Sequence, residues 1–106
     1  LELETAESLD PLSLRPKVLT AWTYYQARDF TRAVAKSDEL LALAPTSMQS
    51  HVQACNALLQ AGSIDASLRN GLIAEELAPD SPLVLHPLCY SLVAAGRAEE
   101  ALERIG

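Results

Sequence analysis

Positively charged residues are scarce in this sequence of 106 residues. Eight lysines and arginines stand against 14 aspartates and glutamates, so the net charge is −6. Because the phosphate backbone of a nucleic acid repels such a chain, we expect no nucleic-acid binding by this segment. Long hydrophobic runs are missing as well. None approaches the roughly 20 residues that cross a bilayer, and no cationic and then apolar leader opens the chain. We therefore expect no membrane partner.

Residues that carry catalysis or hold cofactors are also few. The sequence has two histidines and four glycines. The glycines are isolated, so no glycine-rich loop is available to cradle a phosphate, and no serine lies in a glycine-flanked elbow. We expect neither enzymatic activity nor a cofactor. Aromatic residues make up 5% of the chain, whereas 49% is apolar and mostly Leu and Ala, which favours closely packed helices.

What the sequence does contain is a period of 34 residues. When the chain is aligned with itself at this shift, four columns match: a leucine, a proline two residues later, a turn residue, and a small residue five positions after the turn. The members are Leu9, Leu43 and Leu77; Pro11, Pro45 and Pro79; Arg28, Gly62 and Gly96; and Ala33, Ser67 and Ala101. The period predicts an all-α solenoid of antiparallel helix pairs, whose core forms only when the pairs stack.

The same period divides this single domain into about seven helices. Residues 1–13 are the second helix of an incomplete repeat, 14–47 and 48–81 are full repeats, and 82–106 form an incomplete final repeat. The predicted helix caps are Ser13, Asp29, Thr46 or Ser47, and Ser63. At the turns, glycine tolerates left-handed geometry. Arg28 does not, which predicts a first turn that is strained or differently shaped.

One residue breaks the helical pattern of the last repeat. Pro87 lies about five residues into its predicted first helix, where it removes a backbone hydrogen bond and clashes with the preceding turn. Pro82 lies near the start of the same helix. Two outcomes are open: the helix kinks at Pro87, or it begins later than the period indicates.

These columns resemble the tetratricopeptide (TPR) family over essentially the whole chain. The residues that carry the resemblance are Tyr24, Tyr25, Asp29, Phe30, Ala33, Leu41, Leu43 and Pro45, with Leu9-Asp10-Pro11 before them and Gly96, Glu99, Glu100, Ala101 and Leu102 after them. The family's usual Trp near the head of the first helix is replaced by Lys17, His51 and Leu85. A finer resemblance, carried by residues 6–13, is to the repeat region of bacterial winged-helix transcriptional regulators.

The TPR resemblance implies a binding surface on the concave face, which the first helices line. Carried over by position, that surface comprises Arg15, Val18, Leu19, Trp22, Tyr25 and Gln26; Gln49, Val52, Gln53, Asn56, Leu59 and Gln60; and Leu83, His86, Tyr90 and Val93. Family members that grip a C-terminal carboxylate use several Lys, Arg and Asn side chains there, whereas this face has Arg15 as its only cation and Asn56 as its only matching amide, so that clamp is absent. Its aromatic, amide-rich face suits a helix or an extended peptide. Alternatively, Trp22 and Tyr25 only pack against a neighbouring helix.

The two cysteines occupy equivalent positions in neighbouring repeats. Because packed helices lie about 8–10 Å apart, Cys55 and Cys89 are too distant for a disulfide. Unbridged thiols fit a reducing compartment, so we expect a cytoplasmic protein. The pairs His51/Cys55 and His86/Cys89 could supply four zinc ligands, but no CxxC motif is present. We favour buried thiols in the core.

Two functional classes remain open at this stage. The first is a non-catalytic protein-binding module whose concave face holds a peptide or a helix, as a fragment of a larger protein, for example a regulator. The second is a structural spacer or self-association domain of a bacterial transcriptional regulator. The repeats at both ends read as incomplete, so we expect Leu3, Ala6, Leu9, Leu102 and Ile105 to expose apolar faces that lead to homo-oligomers.

Overall fold

The computed structural model describes residues 14–106, within which the chain forms six α-helices. They are α1 (Leu14–Gln26), α2 (Phe30–Leu43), α3 (Met48–Gln60), α4 (Ile64–Leu77), α5 (Pro82–Ala94) and α6 (Ala98–Ile105). The first helices of the pairs and the second helices each begin at intervals of 34 residues. In this part of the chain, no helix has both the length and the apolar character that a membrane crossing requires. The helix predicted over residues 1–13, and the Ser13 cap, lie outside the described residues.

The N-termini of α2, α3 and α4 lie at the predicted cap residues, but not every predicted cap makes a hydrogen bond. The Asp29 carboxylate accepts a hydrogen bond from the Arg32 backbone N–H at 3.3 Å and so caps α2 as predicted. Ser47 and Ser63 occupy the predicted cap positions, yet neither hydroxyl makes a capping bond. Ser81, which sequence reasoning missed, caps α5 by accepting from the Leu83 N–H at 3.3 Å.

The turns within the three helix pairs share one backbone geometry. Arg28, Gly62 and Gly96 all have positive φ, at 62°, 89° and 80°. In the first turn the Arg28 N–H donates to the Tyr25 carbonyl and the Asp29 N–H to the Tyr24 carbonyl, and the other turns repeat this pair of bonds. The first turn is therefore not differently shaped, but it is strained as predicted, because an arginine holds a left-handed conformation.

Helix α5 passes through its internal proline. It begins at Pro82, whose missing N–H costs nothing in the first turn, and continues past Pro87 to Ala94. A delayed start is therefore wrong. Pro87 is buried, and its carbonyl accepts a hydrogen bond from the Ser91 hydroxyl at 3.0 Å.

The helices stack so that their first members meet on one side of the molecule. Each helix packs against the next in sequence. In addition α1 packs against α3 and α3 against α5, whereas within residues 14–106 no such backbone packing joins α2 to α4 or α4 to α6. The α4 and α6 helices are linked by the ion pair of Glu75 with Arg104. Because the first helices of successive pairs lie closer together than the second helices, the array is curved. The side lined by α1, α3 and α5 is therefore the concave one.

The core lies between the helices of each pair and between successive pairs. The small column predicted from the period is buried: Ala33 is 1% exposed, Ser67 0% and Ala101 2%. Tyr24, Ala33 and Ala57 form one cluster, and a larger cluster around Leu88 and Leu92 joins the last two pairs. A bulkier residue in this column would separate the two helices of a pair, because the interior is already close-packed.

Candidate functional site

Two adjoining clefts run across the concave side. The larger encloses about 750 Å³ and the smaller about 370 Å³. Trp22 on α1, Asn56 on α3 and His86 on α5 line both clefts, so the two form one continuous surface, called the groove below. Its three shared residues come from three successive first helices, which are brought together only by stacking.

Aromatic side chains form two walls of the groove. On one side Trp22 stacks on Tyr25, with ring centroids 5.4 Å apart, and Phe30 meets the Tyr25 ring at an angle, at 5.8 Å. On the other side His86 packs edge-on against Tyr90 at 4.5 Å. The spacings of three and four residues place these pairs on one face of their helices. Together they leave an apolar space between α1 and α5 with aromatic rings on both sides.

The floor between the walls is polar but almost uncharged. It carries side-chain amides from α3 at helical spacing: Gln49, Gln53, Asn56 and Gln60. Among the described residues, no aspartate or glutamate lines either cleft, although the chain as a whole is acidic. The one permanent charge on the lining is the Arg28 guanidinium, in the larger cleft.

Most of the residues predicted for the concave face line the groove. Val18, Trp22, Tyr25, Gln26, Gln49, Gln53, Asn56, His86 and Tyr90 do so, as do Val52, Leu59, Gln60, Leu83 and Val93. Arg15 and Leu19 are exposed on α1 but line neither cleft. Sequence reasoning missed Met48, Pro82, Pro87 and Ala94 on the first helices. It also missed Arg28 and Phe30, because it carried over positions from the first helices alone. The arginine in a column otherwise held by glycine was the signal for the first of them.

Trp22 and Tyr25 differ in how much of each side chain is buried in the core. Trp22 is 41% exposed, so a large part of its indole faces the groove. Tyr25 is half-buried and packs against the cluster of Tyr24, Ala33 and Ala57. Packing therefore accounts for much of Tyr25 and for less of Trp22.

The cysteines and histidines that were considered as zinc ligands lie in different environments. Cys55 is fully buried, with its Sγ 3.1 Å from the Ser91 hydroxyl, whereas Cys89 is only half-buried, so the expectation of two buried thiols is wrong for Cys89. His51 Nε2 donates to the Pro45 carbonyl at 2.7 Å, and its Nδ1 lies 2.9 Å from Asn70 Oδ1. Over residues 14–106, no three potential ligands converge.

A further apolar cleft of about 510 Å³ lies between α5 and α6 and adjoins the groove; we call it the end cleft. It shares His86, Tyr90 and Val93 with the larger cleft of the groove. It is lined by Pro82, Leu85, His86, Cys89, Tyr90, Val93, Ala98, Ala101, Leu102 and Ile105. Leu102 and Ile105 are each 65% exposed. Equivalent positions in the preceding repeat are covered by α5: Gly71, the counterpart of Ile105, lies against Leu88, with 3.1 Å between the position of its missing Cβ and Leu88 Cδ1.

No protein-family model and no curated protein matches the sequence. Solved structures do. MamA AMB-1 superposes with a TM-score of 0.77 at 24% identity, covering 97% of this chain and 61% of that one. MamA MSR-1 gives 0.74 at 24%, covering 96% and 59%. MamA is a TPR-like helical repeat protein.

The fold is a TPR-like solenoid. At this identity the likeness extends to the fold alone, and the present chain spans about three fifths of the MamA chains. The likeness supports the predicted TPR-like repeats and gives no support to the resemblance to winged-helix regulators. The TPR-like fold places the groove on the concave side of a repeat array.

Proposed function

We propose that this chain is a non-catalytic protein-interaction module whose groove holds a helical or extended segment of a partner protein. The observation that supports it is the continuous, nearly uncharged groove with exposed aromatic residues. Trp22, Leu83, Tyr90 and Val93 are between 41% and 58% exposed, and a contiguous apolar surface of this kind marks an interaction site.

The amides on the floor complement the aromatic walls. A peptide backbone presents donors and acceptors along its length, and each Asn or Gln side chain offers both. Rigid aromatic rings supply apolar contact area with little loss of side-chain entropy on binding. No carboxylate in the described groove is placed to activate His86, which instead packs against Tyr90. The lining therefore suits binding without chemistry.

The groove can be tested with its own fluorophore, because Trp22 is the single tryptophan of the sequence. A random displayed-peptide library is selected on the 106-residue chain, and binding of the enriched peptides is followed by Trp22 emission and by calorimetry. We expect Tyr90→Ala to weaken these peptides about tenfold, as loss of an interface anchor does. Trp22→Ala, followed by calorimetry alone, should have a similar effect.

The matched control is Ile73→Ala. Ile73 is 41% exposed, like Trp22, but lies on α4 and lines no part of the groove. Its removal should leave peptide affinity within twofold. Failure to enrich any peptide, or equal losses in the groove and control variants, would contradict the proposal. Unchanged helical circular dichroism in all three variants would separate binding from packing.

A second candidate function is self-association, the structural alternative for a repeat module within a regulator. The end cleft favours it, because it is an apolar face between two helices with Leu102 and Ile105 largely exposed. A second copy of this chain would cover the cleft and with it His86, Tyr90 and Val93, which the end cleft shares with the groove. The two functions can be tested separately at Leu102 and Ile105, which line the end cleft alone.

A further inference from the structure

The turn between α1 and α2 holds an unfavourable residue. Three equivalent turn positions have the same left-handed backbone, and glycine occupies two of them. Arg28 occupies the third at φ 62°, although an L-residue with a side chain is disfavoured there. Residues with a strained backbone concentrate at functional sites, so a function of the Arg28 side chain would explain why this residue is kept in the turn.

Arg28 lines the larger cleft, whose lining also includes Trp22, Tyr25 and Phe30. Its guanidinium has no ion-pair partner within residues 14–106. The adjacent Asp29 does not serve, because its carboxylate accepts from the Arg32 N–H at 3.3 Å and pairs with the Arg32 guanidinium at 3.5 Å. A planar group with five N–H donors is thus left available at the edge of an aromatic cleft.

We propose that Arg28 recognises an acidic side chain, an Asp or Glu in a partner segment whose neighbouring apolar residue lies between the aromatic walls. This inference rests on the proposed peptide-binding function and names the chemistry of the peptide. A guanidinium binds a carboxylate through two parallel hydrogen bonds. The lining of the described groove has no carboxylate to repel such a residue, whereas the rest of this acidic chain would repel it.

An internal side chain fits better than a chain terminus. Capture of a terminal carboxylate requires several donors converging on one point, and Arg28 is the only permanent cation on the lining of the two clefts. The larger cleft also continues into the smaller one through Trp22, Asn56 and His86. A segment can therefore extend along the groove past Arg28.

The first test compares displayed-peptide selections on the natural chain and on Arg28→Gly. Glycine is the residue of the two equivalent turns, so this variant keeps the fold while removing the guanidinium. We expect peptides enriched on the natural chain to carry Asp or Glu at a fixed distance from an apolar or aromatic residue. On Arg28→Gly the apolar preference should persist and the acidic preference should disappear.

The second test is a thermodynamic cycle on one selected peptide, acetylated and amidated so that it has no terminal charges. The peptide and its Glu→Gln (or Asp→Asn) twin are titrated against the natural chain and Arg28→Gly. Because a partly exposed ion pair contributes little, each single change should raise Kd about three- to tenfold. The two changes together should cost no more than one of them. The control is Arg69→Gln, which makes the same change in net charge. Arg69 is exposed on α4 and lines neither cleft, so this variant should leave Kd unchanged.

The outcomes separate this inference from the proposed function. Selected peptides without an acidic preference, or with one that survives Arg28→Gly, would overturn the role of Arg28 and leave peptide binding intact. Additive effects in the cycle would do the same. If neither chain enriches any peptide, the proposed function fails and the inference fails with it.

Discussion

At the scale of single residues, the first turn carries a conflict between folding and surface chemistry. A left-handed backbone costs an L-residue about 1–2 kcal/mol, and glycine avoids this cost but loses roughly 0.5–1 kcal/mol more backbone entropy on folding. The difference favours glycine. Arg28 therefore lowers the stability of the fold, and a retained cost of this kind is typical of a functional position.

We predict that Arg28→Gly raises the free energy of unfolding by about 0.5–1 kcal/mol, because it relieves the left-handed strain at φ 62°. Gly62→Ala should lower it by about 1 kcal/mol, since alanine would then hold the conformation that glycine now holds at φ 89°. Urea unfolding followed by circular dichroism measures both. If Arg28→Gly is less stable than the natural chain, contacts of the arginine side chain outweigh the strain.

At the scale of the elements, a small polar cluster joins α3, α4 and α5. The Ser67 hydroxyl donates to the Cys55 carbonyl at 2.7 Å and lies 2.9 Å from the Ser91 hydroxyl, which in turn lies 3.1 Å from the Cys55 thiol. All three residues are fully buried. Because buried polar groups are costly when unpaired, this cluster favours one register between the second and third helix pairs.

Burial raises the pKa of the Cys55 thiol above its ordinary value of 9.0, and its hydrogen bonds with Ser91 and Ser67 only partly oppose this. The folded state thus holds the thiol proton more tightly than the unfolded state. The resulting stability is fully present below about pH 9 and is lost as the pH rises through the folded pKa.

We therefore predict that alkaline pH destabilises the natural chain by up to about 1.4 kcal/mol per pH unit more than Cys55→Ala. Urea unfolding under reducing conditions at pH 7, 8, 9 and 10 measures this difference. At pH 7, Cys55→Ala should cost only about 1 kcal/mol, because a small side chain is removed. Cys89→Ala is the control and should keep the full alkaline loss, and an equal loss in Cys55→Ala would show that other groups cause it.

The comparison of sequence with structure is also clearest among the elements. The helices and turns were predictable because proline, glycine and small residues recur at the 34-residue period, and the backbone conformations that these residues favour depend on local sequence. The hydrogen bonds of Ser47 and Ser63 were not, since a cap position does not determine a hydroxyl rotamer. The ion pair of Arg104 with Glu75, at 2.7 Å between Nε and Oε2, joins α6 to α4 and depends on how pairs stack.

The candidate site was predictable to the extent that it lies on first helices. Their inward positions recur at helical spacing, so Trp22, Asn56 and His86 could be carried over by position from the TPR resemblance. Arg28 and Phe30 could not, because whether a turn reaches into the groove depends on the angle between the two helices of a pair. The residue that carries the further inference is therefore one that only the three-dimensional arrangement places in the site.

At the scale of the whole molecule, every helix pair offers a face to the next pair, and in the described residues the face of the α5–α6 pair is exposed. The same stacking that buries Leu88 against Gly71 leaves Leu102 and Ile105 each 65% exposed on the end cleft. The cleft is present on every copy, so two copies can pair around a two-fold axis. The contact would involve two helices from each copy, which places it at the low end of interface sizes and predicts a weak dimer.

We predict that the chain associates in a concentration-dependent manner through the end cleft, and that Ile105→Lys or Leu102→Lys makes it more monomeric. A lysine there must be desolvated in the dimer but remains hydrated in the monomer, so it should weaken association at least tenfold while changing folding stability little. Sedimentation equilibrium over a concentration series measures this. Ile73→Lys, with the same change in charge on α4, should associate like the natural chain. The corresponding face at Leu3 lies outside the described residues. A natural chain that sediments as a monomer at high concentration would rule out pairing through the end cleft and leave peptide binding in the groove as the function to pursue.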